Sequence, residues 1–369
     1  MKKKLIIFIP HLNIGGVEKN FYIISNFLIK KLKDISIITI NKNISKKLGK
    51  KANIISLKSN RFENSHIYVK YIICIYLLIR TLLKSRKYVV FSFQANWYSI
   101  IISKLFNLNV IIRSNTAPNG WSKNFIKRFL YKILLKLSDE VIVNSIEFKN
   151  VFQKEFSISP KCIYNPLNED EIKKLGNKKL KNNFFKKKYL NIINYSRLTD
   201  QKNHILLLRS LKTIKNKIPF RLIIAGNGPE KDKIKKFIKE NNLSKNIKLI
   251  DFLENPFPLL NLADVLVLSS NFEGLPNVLL EAQVFKKIII SSNCPTGPKE
   301  ILNDGKYGYL FKCGDHEDLS KKIEFVFNNK KQAKTKAKDG FKNLKRFNKQ
   351  KNLIKYDNIL LKYLGKYEK

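Results

Sequence analysis

The sequence predicts an α/β protein made of two halves, each a parallel sheet with helices on both faces. Three observations carry that expectation. The chain has 369 residues, more than one hydrophobic core comfortably spans, so two domains of ordinary size are expected. Short apolar runs rich in Ile, Val and Leu alternate with longer segments of helical period, as parallel strands buried on both faces and joined by helices would. The chain also repeats itself: Leu137–Ser145 (LSDEVIVNS) and Leu262–Ser270 (LADVLVLSS) each end a helix and start a strand. That internal rhyme suits two Rossmann-like halves.

In the first half the strand candidates are Leu5–Ile9, Ile35–Ile40, Ile54–Leu57, Val89–Phe93, Val110–Arg113 and Val141–Asn144. In the second they are Asn191–Tyr195, Arg221–Ala225, Ile247–Leu249, Val265–Ser269 and Lys287–Ser291. Helices fit between most of them, for example Glu18–Lys31, Ile205–Lys215 and Pro229–Asn241. The start, Met1-Lys2-Lys3-Lys4 and then Leu5–Ile9, is basic and then apolar, but Pro10 ends the run too soon for a signal peptide. It reads as a first buried strand. His66–Leu83 is largely apolar, but Lys70 and Arg80 interrupt it, so a buried helix is expected and not a spanning one.

Trp121–Leu137 reads as a helix in which Arg128, Lys132 and Lys136 recur every four residues beside Phe125, Phe129, Ile133 and Leu137. Such stripes mark either a helix in a membrane interface or one packed on a sheet with its lysines in water, and both readings stand. The polar, lysine-rich segment 166–188, with Pro166 and the cluster Glu169-Asp170-Glu171, reads as a linker. The expected domains are thus 1–165 and 189–345, with a lysine-rich amphipathic helix closing the chain over 346–369.

Composition narrows the function. With 44% hydrophobic and 27% charged residues the chain is globular and not disordered. Its 72 Lys+Arg against 28 Asp+Glu give a formal charge of +44. Phosphate neutralisation on nucleic acid, an anionic membrane surface and a compositional bias shared with abundant Asn, Ile and Phe compete to explain it. The excess is spread along the chain with no basic tail, which favours bias plus a membrane surface over nucleic acid. Cys74, Cys162, Cys294 and Cys313 are scattered without C-x-x-C spacing, as reduced cytosolic thiols would be, and form neither a zinc site nor a disulfide frame. A G-x-G-x-x-G fingerprint is absent, which counts against a dehydrogenase. No D-x-D ends an apolar strand, as metal-dependent sugar transferases would need; Asp315 and Asp318 fall in a loop-like stretch.

The most informative stretch is Ser270-Asn271-Phe272-Glu273-Gly274-Leu275-Pro276-Asn277-Val278-Leu279-Leu280-Glu281-Ala282. Two carboxylates, Glu273 and Glu281, flank a Gly, a Pro and an Asn where a strand hands over to a helix. Pro276 suits the first helical turn, because its missing N–H would have no partner there. A helix beginning near Pro276 points the N–H groups of its first turn outward and offers an anion site. Glu273 then sits at the loop tip, and Glu281, four residues after Asn277, lies on the same helix face. A phosphate cradle between two hydroxyl-binding carboxylates describes a sugar-nucleotide site; a helix start with two surface glutamates is the bland alternative. Arg197 and Lys202 follow the strand Asn191–Tyr195, where two cations can sit over a diphosphate and stabilise it as it leaves.

The stretch from Glu273 to Glu281 resembles the E-x7-E motif of retaining glycosyltransferases with the GT-B fold, in particular glycosyltransferase family 4. Other segments agree. Arg197 and Lys202 resemble the family's Arg/Lys pair. Asn13-Ile14-Gly15-Gly16-Val17-Glu18 resembles its GG-x-E loop, Ala225–Glu230 its G-x-G-P-E turn, and Cys294–Glu300 its loop closing over the donor. The resemblance covers nearly the whole chain and is densest from Asn191 to Glu300. It implies two Rossmann-like domains with parallel sheets facing across a cleft, the first for the acceptor and the second for the nucleotide sugar, with the last helix crossing back to the first.

The implied activity is retaining, metal-independent transfer of a hexose or N-acetylhexosamine from a nucleotide sugar, UDP-linked, to a cell-envelope glycan or lipid-linked saccharide. Lipopolysaccharide and capsule are among the acceptors it would allow. Glu273, Arg197 and Lys202 would be catalytic. Glu281, Gly274, Leu275, Pro276, Asn277, Gly15 and Gly16 would bind the donor. Many members carry a His at the acceptor-side edge of the first domain, and His11, His66, His204 and His316 fit that place poorly. Asn13, Arg113, Asn115 and Asn96 are the acceptor-side candidates instead. No cofactor or metal is expected. The partners would be donor, acceptor and an anionic membrane surface reached through 121–137, with no nucleic acid. The protein would be cytoplasmic, or peripheral on the inner face of the cytoplasmic membrane. Two other readings share the sequence: a GT-B sugar-nucleotide epimerase or hydrolase, and an inactive basic scaffold that binds membrane or nucleic acid.

Overall fold

The chain divides into two units, Met1–Pro166 with Lys349–Lys369, and Leu167–Asn348. The computed structural model describes residues 3–12, 15–41, 44–45, 47–48, 52–57, 61–115 and 125–365. Elements of the first unit, in chain order, are β1 (Lys4–Phe8), α1 (Gly16–Lys31), β2 (Ile35–Ile38), β3 (Asn53–Ile55), α2 (Ile67–Lys84), β4 (Tyr88–Ser92), α3 (Asn96–Leu105), β5 (Asn109–Arg113), α4 (Phe125–Leu137), β6 (Glu140–Val143), α5 (Ile146–Phe156) and β7 (Lys161–Cys162). The second unit holds α6 (Glu169–Gly176), β8 (Leu190–Tyr195), α7 (His204–Ile214), β9 (Phe220–Ala225), α8 (Lys231–Glu240), β10 (Ile247–Ile250), α9 (Phe257–Leu262), β11 (Val265–Leu268), α10 (Asn277–Val284), β12 (Ile288–Ser292), α11 (Pro298–Ile301), β13 (Tyr309–Phe311), α12 (His316–Asn328) and α13 (Lys330–Lys342). A last helix, α14 (Lys349–Leu364), returns to the first unit.

Both sheets are parallel. The first runs β3-β2-β1-β4-β5-β6-β7 and the second β10-β9-β8-β11-β12-β13. Alternation within each strand decides what lies on each face. In β1, Leu5 and Ile7 enter a core closed by α1 and α14, where Phe21, Leu28, Tyr356 and Leu360 are buried. Ile6 and Phe8 enter the opposite core, closed by α2, α3, α4 and α5, with Leu78, Ile100, Leu135 and Phe152. A strand wanted by both faces must be apolar throughout, hence the unbroken run LIIFI. The second sheet has its own core, from Leu190 and Ile192 through Leu211, Ile224 and Val267 to Ile290 and Ile323.

Caps fix several helix starts. Ser145 accepts from the Phe148 N–H at α5, Asn203 from the Leu206 N–H at α7, and Asp315 from the N–H groups of Glu317 and Asp318 at α12, the side-chain capping expected of these residues.

Several expectations need correction. β7 and β13 went unpredicted: they have only two and three residues, too short to stand out from the flanking loops. Residues 166–188 are no bare linker: α6 forms within them, and Leu167 onward belongs to the second unit. The closing helix is preceded by a break, a tight 3₁₀ turn at Asn343–Phe347 between α13 and α14. Asp315 and Asp318 are not loop residues: Asp315 caps α12, and Asp318 in its first turn accepts from the Lys312 N–H at 2.8 Å. α2 is not a buried helix. Cys74, Leu77, Leu78 and Leu82 pack inward, while Tyr68, Ile72, Tyr76 and Leu83 are exposed. None of the described helices is long and apolar enough to cross a membrane.

Candidate active site

Strand order reverses between β8 and β11 in the second sheet. At such a switch point the loops after two neighbouring strands diverge and leave a crevice at the carboxyl ends, where open α/β sheets bind ligands. β8 delivers Arg197 and Lys202 there, and β11 delivers Glu273.

Lys202 Nζ donates to Glu273 Oε1 at 2.5 Å, and Ser270 Oγ donates to the same oxygen at 2.7 Å. The pair is largely withdrawn from water, with side-chain exposures of 14% and 8%. A carboxylate so placed needs both partners, since an uncompensated buried charge is costly. Backbone contacts lock the loop on both sides. The Glu273 N–H donates to Pro295 O at 2.7 Å, and Thr296 returns its N–H to Glu273 O at 3.2 Å and its hydroxyl to Gly274 O at 3.1 Å. At Gly297, φ is +92° and a Cβ would stand 2.3 Å from Gly274 O, so only glycine lets the two loops close.

The loop after β8 is stitched to the loop after β11. Gln201 Nε2 donates to Phe272 O at 2.9 Å, the Asn271 N–H to Gln201 O at 2.8 Å, and Asn203 Nδ2 to Asn271 Oδ1 at 3.0 Å. Beneath them His204 Nε2 lies 3.1 Å from both Ser196 Oγ and Asn194 Oδ1. Burial, and then the charge of Lys202, lower the His204 pKa to about 4. The imidazole is therefore neutral at physiological pH. His11 in the first unit is likewise lowered to about 4, by burial and then Lys70.

These two histidines set an acid limit. Their folded pKa values lie below the ordinary value of 6.5, so the stabilisation is present above pH 6.5 and is lost as pH falls toward 4. The His204 share is about 2 kcal/mol between pH 7 and pH 5. Denaturant melts at the two pH values should show that loss, and His204→Asn should reduce it; an unchanged slope in the variant would remove His204 from the account.

α10 starts at Asn277 with Pro276 as its cap, in extended conformation (φ −69°, ψ 108°). The proline thus stands one position before the expected first turn. Gly274, Leu275 and Pro276 are buried and Asn277 is half-buried. One turn on, Glu281 is 5% exposed and accepts from the Tyr195 hydroxyl at 2.7 Å. Burial, then the nearby Glu281 charge, push the Tyr195 pKa well above 10, so the phenol keeps its proton and donates. Tyr195→Phe should cost about 1–3 kcal/mol, because the carboxylate loses a buried donor. A thermal melt checks the stability, and a raised donor KM checks the positioning.

Arg197 is exposed, with no ion pair to a described residue, so the two cations are not equivalent. The nearby turn Gly226–Gly228 has a supporting part: a Cβ at Gly226 would stand 1.9 Å from Ser196 O, and Leu198 exchanges hydrogen bonds with Asn227 O and the Glu230 N–H. Tyr195, Ser270, Thr296 and His204 are the contributors that sequence reasoning missed; only the Ser270-to-Glu273 spacing offered a signal.

In the first unit the switch point lies between β1 and β4. Gly15 caps α1 and Gly16 opens it, both exposed; Asn13 lies outside the described residues. Two acceptor-side candidates have internal tasks instead. Arg113 is 1% exposed, with Nε donating to the Tyr356 hydroxyl at 2.9 Å and Nη2 to Asn165 Oδ1 at 2.7 Å. Asn96 is buried, accepting from Ser92 Oγ at 2.9 Å and donating to Arg113 O at 3.3 Å. Asn115 donates to Phe93 O at 2.8 Å, and its Oδ1 has no partner, as Arg113 Nη1 has none. Among the described residues no three His, Cys, Asp or Glu side chains gather as metal ligands would.

Residues 177–343 match the family described as "Glycosyl transferases group 1". An uncharacterized glycosyltransferase of Methanocaldococcus jannaschii is 32% identical over 58% of this chain, and the aligned part spans 59% of that relative's length. A Campylobacter jejuni α-1,4-N-acetyl-D-galactosaminyltransferase, named for a GalNAc-containing undecaprenol diphosphate substrate, is 28% identical over 88% of this chain and 89% of its own. Among solved structures, a Rickettsia africae glycosyltransferase has a TM-score of 0.78 at 20% identity, covering 99% of this chain and 100% of that one. Anabaena HepE, in complex with UDP, has a TM-score of 0.76 at 15% identity, covering 97% and 100%. The two parallel Rossmann-like sheets and the likeness to these structures over nearly the whole chain define the GT-B fold. The matched residues 177–343 lie within the second unit.

Proposed function

We propose that the chain is a retaining glycosyltransferase that moves a hexose or N-acetylhexosamine from a UDP-sugar to a cell-envelope or lipid-linked saccharide, without a metal. The observation that carries this reading is the Lys202–Glu273 pair at the β8/β11 switch point, beside the first turn of α10 and the Tyr195–Glu281 pair. Similar proteins support it: HepE and the Staphylococcus aureus TarM were each solved with UDP, and the Campylobacter enzyme is named for a lipid-linked acceptor.

In this reading Lys202 and Arg197 hold the diphosphate, with the N–H groups of the α10 first turn adding the positive end of the helix dipole. They stabilise the charge that grows on the leaving phosphate as the bond to the anomeric carbon breaks. Glu281 accepts from the ribose hydroxyls. Glu273, fixed by Lys202 and Ser270, uses its remaining lone pairs to orient the donor sugar. The acceptor oxygen attacks from the face the phosphate leaves, and its proton passes to that phosphate. Configuration is retained, and no covalent sugar is formed on the protein.

A panel of nucleotide sugars in a thermal-shift assay tests the donor: ligand at 100 times its Kd should add about 2.7 kcal/mol. Anomeric NMR of the product tests the stereochemistry. An inverted product ends the retaining mechanism, and turnover without acceptor points to an epimerase or hydrolase.

A further inference from the structure

We propose that the outer face of the α2–α3–α4 layer docks on the surface of an anionic lipid bilayer. The inference rests on the first unit alone and holds whichever donor the second unit takes. With α5 these three helices cover one face of the first sheet, and each buries one stripe against it. What they leave outside is apolar. On α2 the outward residues are Tyr68, Ile72, Tyr76 and Leu83; Ile72 is 66% and Leu83 71% exposed. On α3 they are Tyr98, Ile101 and Leu105, spaced by three and four, with Leu105 78% exposed. On α4, Tyr131 and Leu135 pack inward, while Phe129, Leu130, Ile133 and Leu137 face out. Phe129, Ile133 and Leu137 of the stripe read in the sequence therefore lie on the solvent side of α4. Isolated exposed apolar residues are ordinary, but successive stripes on three neighbouring helices are not.

The charge on these three helices has one sign. α2, α3 and α4 contain no Asp or Glu. Lys132 and Lys136 flank one edge of the α4 stripe and Lys127 the other; Arg80 and Lys84 flank that of α2. Arg80 and Lys84 also line, with Asn53, Ser56 and Thr81, a hollow of about 310 Å³ able to receive a phosphate headgroup. Two carboxylates at the edge of the layer pair with its cations, Glu155 with Arg128 and Asp139 with Lys104. The opposite layer differs. Among its described residues α1 exposes no large apolar side chain and α14 exposes Ile354, and both carry acidic residues, Glu18 and Asp357. Aliphatic stripes edged by long basic side chains match the interfacial depth of a bilayer, where the stems lie on acyl chains and the cations reach the headgroups. A nucleic acid backbone would use the cations and leave the aliphatic stripes in water.

The full chain is sedimented with phosphatidylglycerol–phosphatidylcholine vesicles and with pure phosphatidylcholine vesicles, with and without a competing oligonucleotide. Binding should favour the anionic vesicles and weaken with salt. Phe129→Glu/Ile133→Glu should lower partitioning at least about tenfold, as should Lys132→Gln/Lys136→Gln. Leu83→Glu/Leu105→Glu, at the most exposed positions, repeats the test without touching the core, and Ile354→Glu should bind as the parent does. Melting curves confirm that each variant is folded. Binding that survives the glutamate pairs, equal binding to both vesicle types, or displacement by oligonucleotide would overturn the proposal.

Discussion

Lys202→Met is expected to cost about 3 kcal/mol of stability, because it strands the Glu273 carboxylate in a site only 8% open to water. Glu273→Gln should cost less, since Lys202 is the more exposed partner and the amide still accepts from Ser270. The double variant, with both charges removed, should recover much of the loss. Under the proposed function turnover behaves differently: Met cannot replace a cation that stabilises the departing diphosphate, so Lys202→Met and the double variant should both lose about 10²–10³-fold. Chemical denaturation of the four proteins gives the coupling energy directly. Additive stability costs would show that the 2.5 Å contact is not a stabilising pair. Full activity in Lys202→Met would remove Lys202 from the reaction.

Gly226→Ala should have the next largest effect. The new Cβ would lie 1.9 Å from Ser196 O and 3.1 Å from its carbonyl carbon. Both are backbone atoms, so no side-chain rotation relieves the overlap. The segment Ser196–Leu198 must move, and with it the path to Arg197 and Lys202. Overpacking of this kind costs about 1–3 kcal/mol. Donor affinity should fall along with the melting temperature. An alanine variant with parental donor KM would mean that the turn is remote from the site.

Much of this was legible in the sequence. β1, β8 and β11 could be read because parallel strands buried on both faces are apolar at every position. The meeting of Lys202 with Glu273 could be read because both follow neighbouring parallel strands, and the place of Glu281 because a proline and a helix start precede it. What escaped depends on contacts distant in sequence. Tyr195 looked like one more strand residue until Glu281, in another element, came to lie against its hydroxyl. Arg113 looked like a polar group at a strand end, yet its partners Tyr356 and Asn165 turn it inward. The apolar face of α4 was ambiguous, because spacing tells which residues share a face and not which face meets the sheet.

The passage of α14 into the first unit has a consequence for biogenesis. Leu353, Tyr356, Leu360 and Leu364 supply one wall of the core that β1 and β4 share with α1. Domains generally fold as units while the chain emerges from the ribosome, and every residue of the second unit precedes α14 in that order. The amino-terminal half must therefore wait, with one side open, until its neighbour has been made. The half begun first is finished last, and a nascent chain arrested after Asn348 would hold a closed second sheet and an open first one.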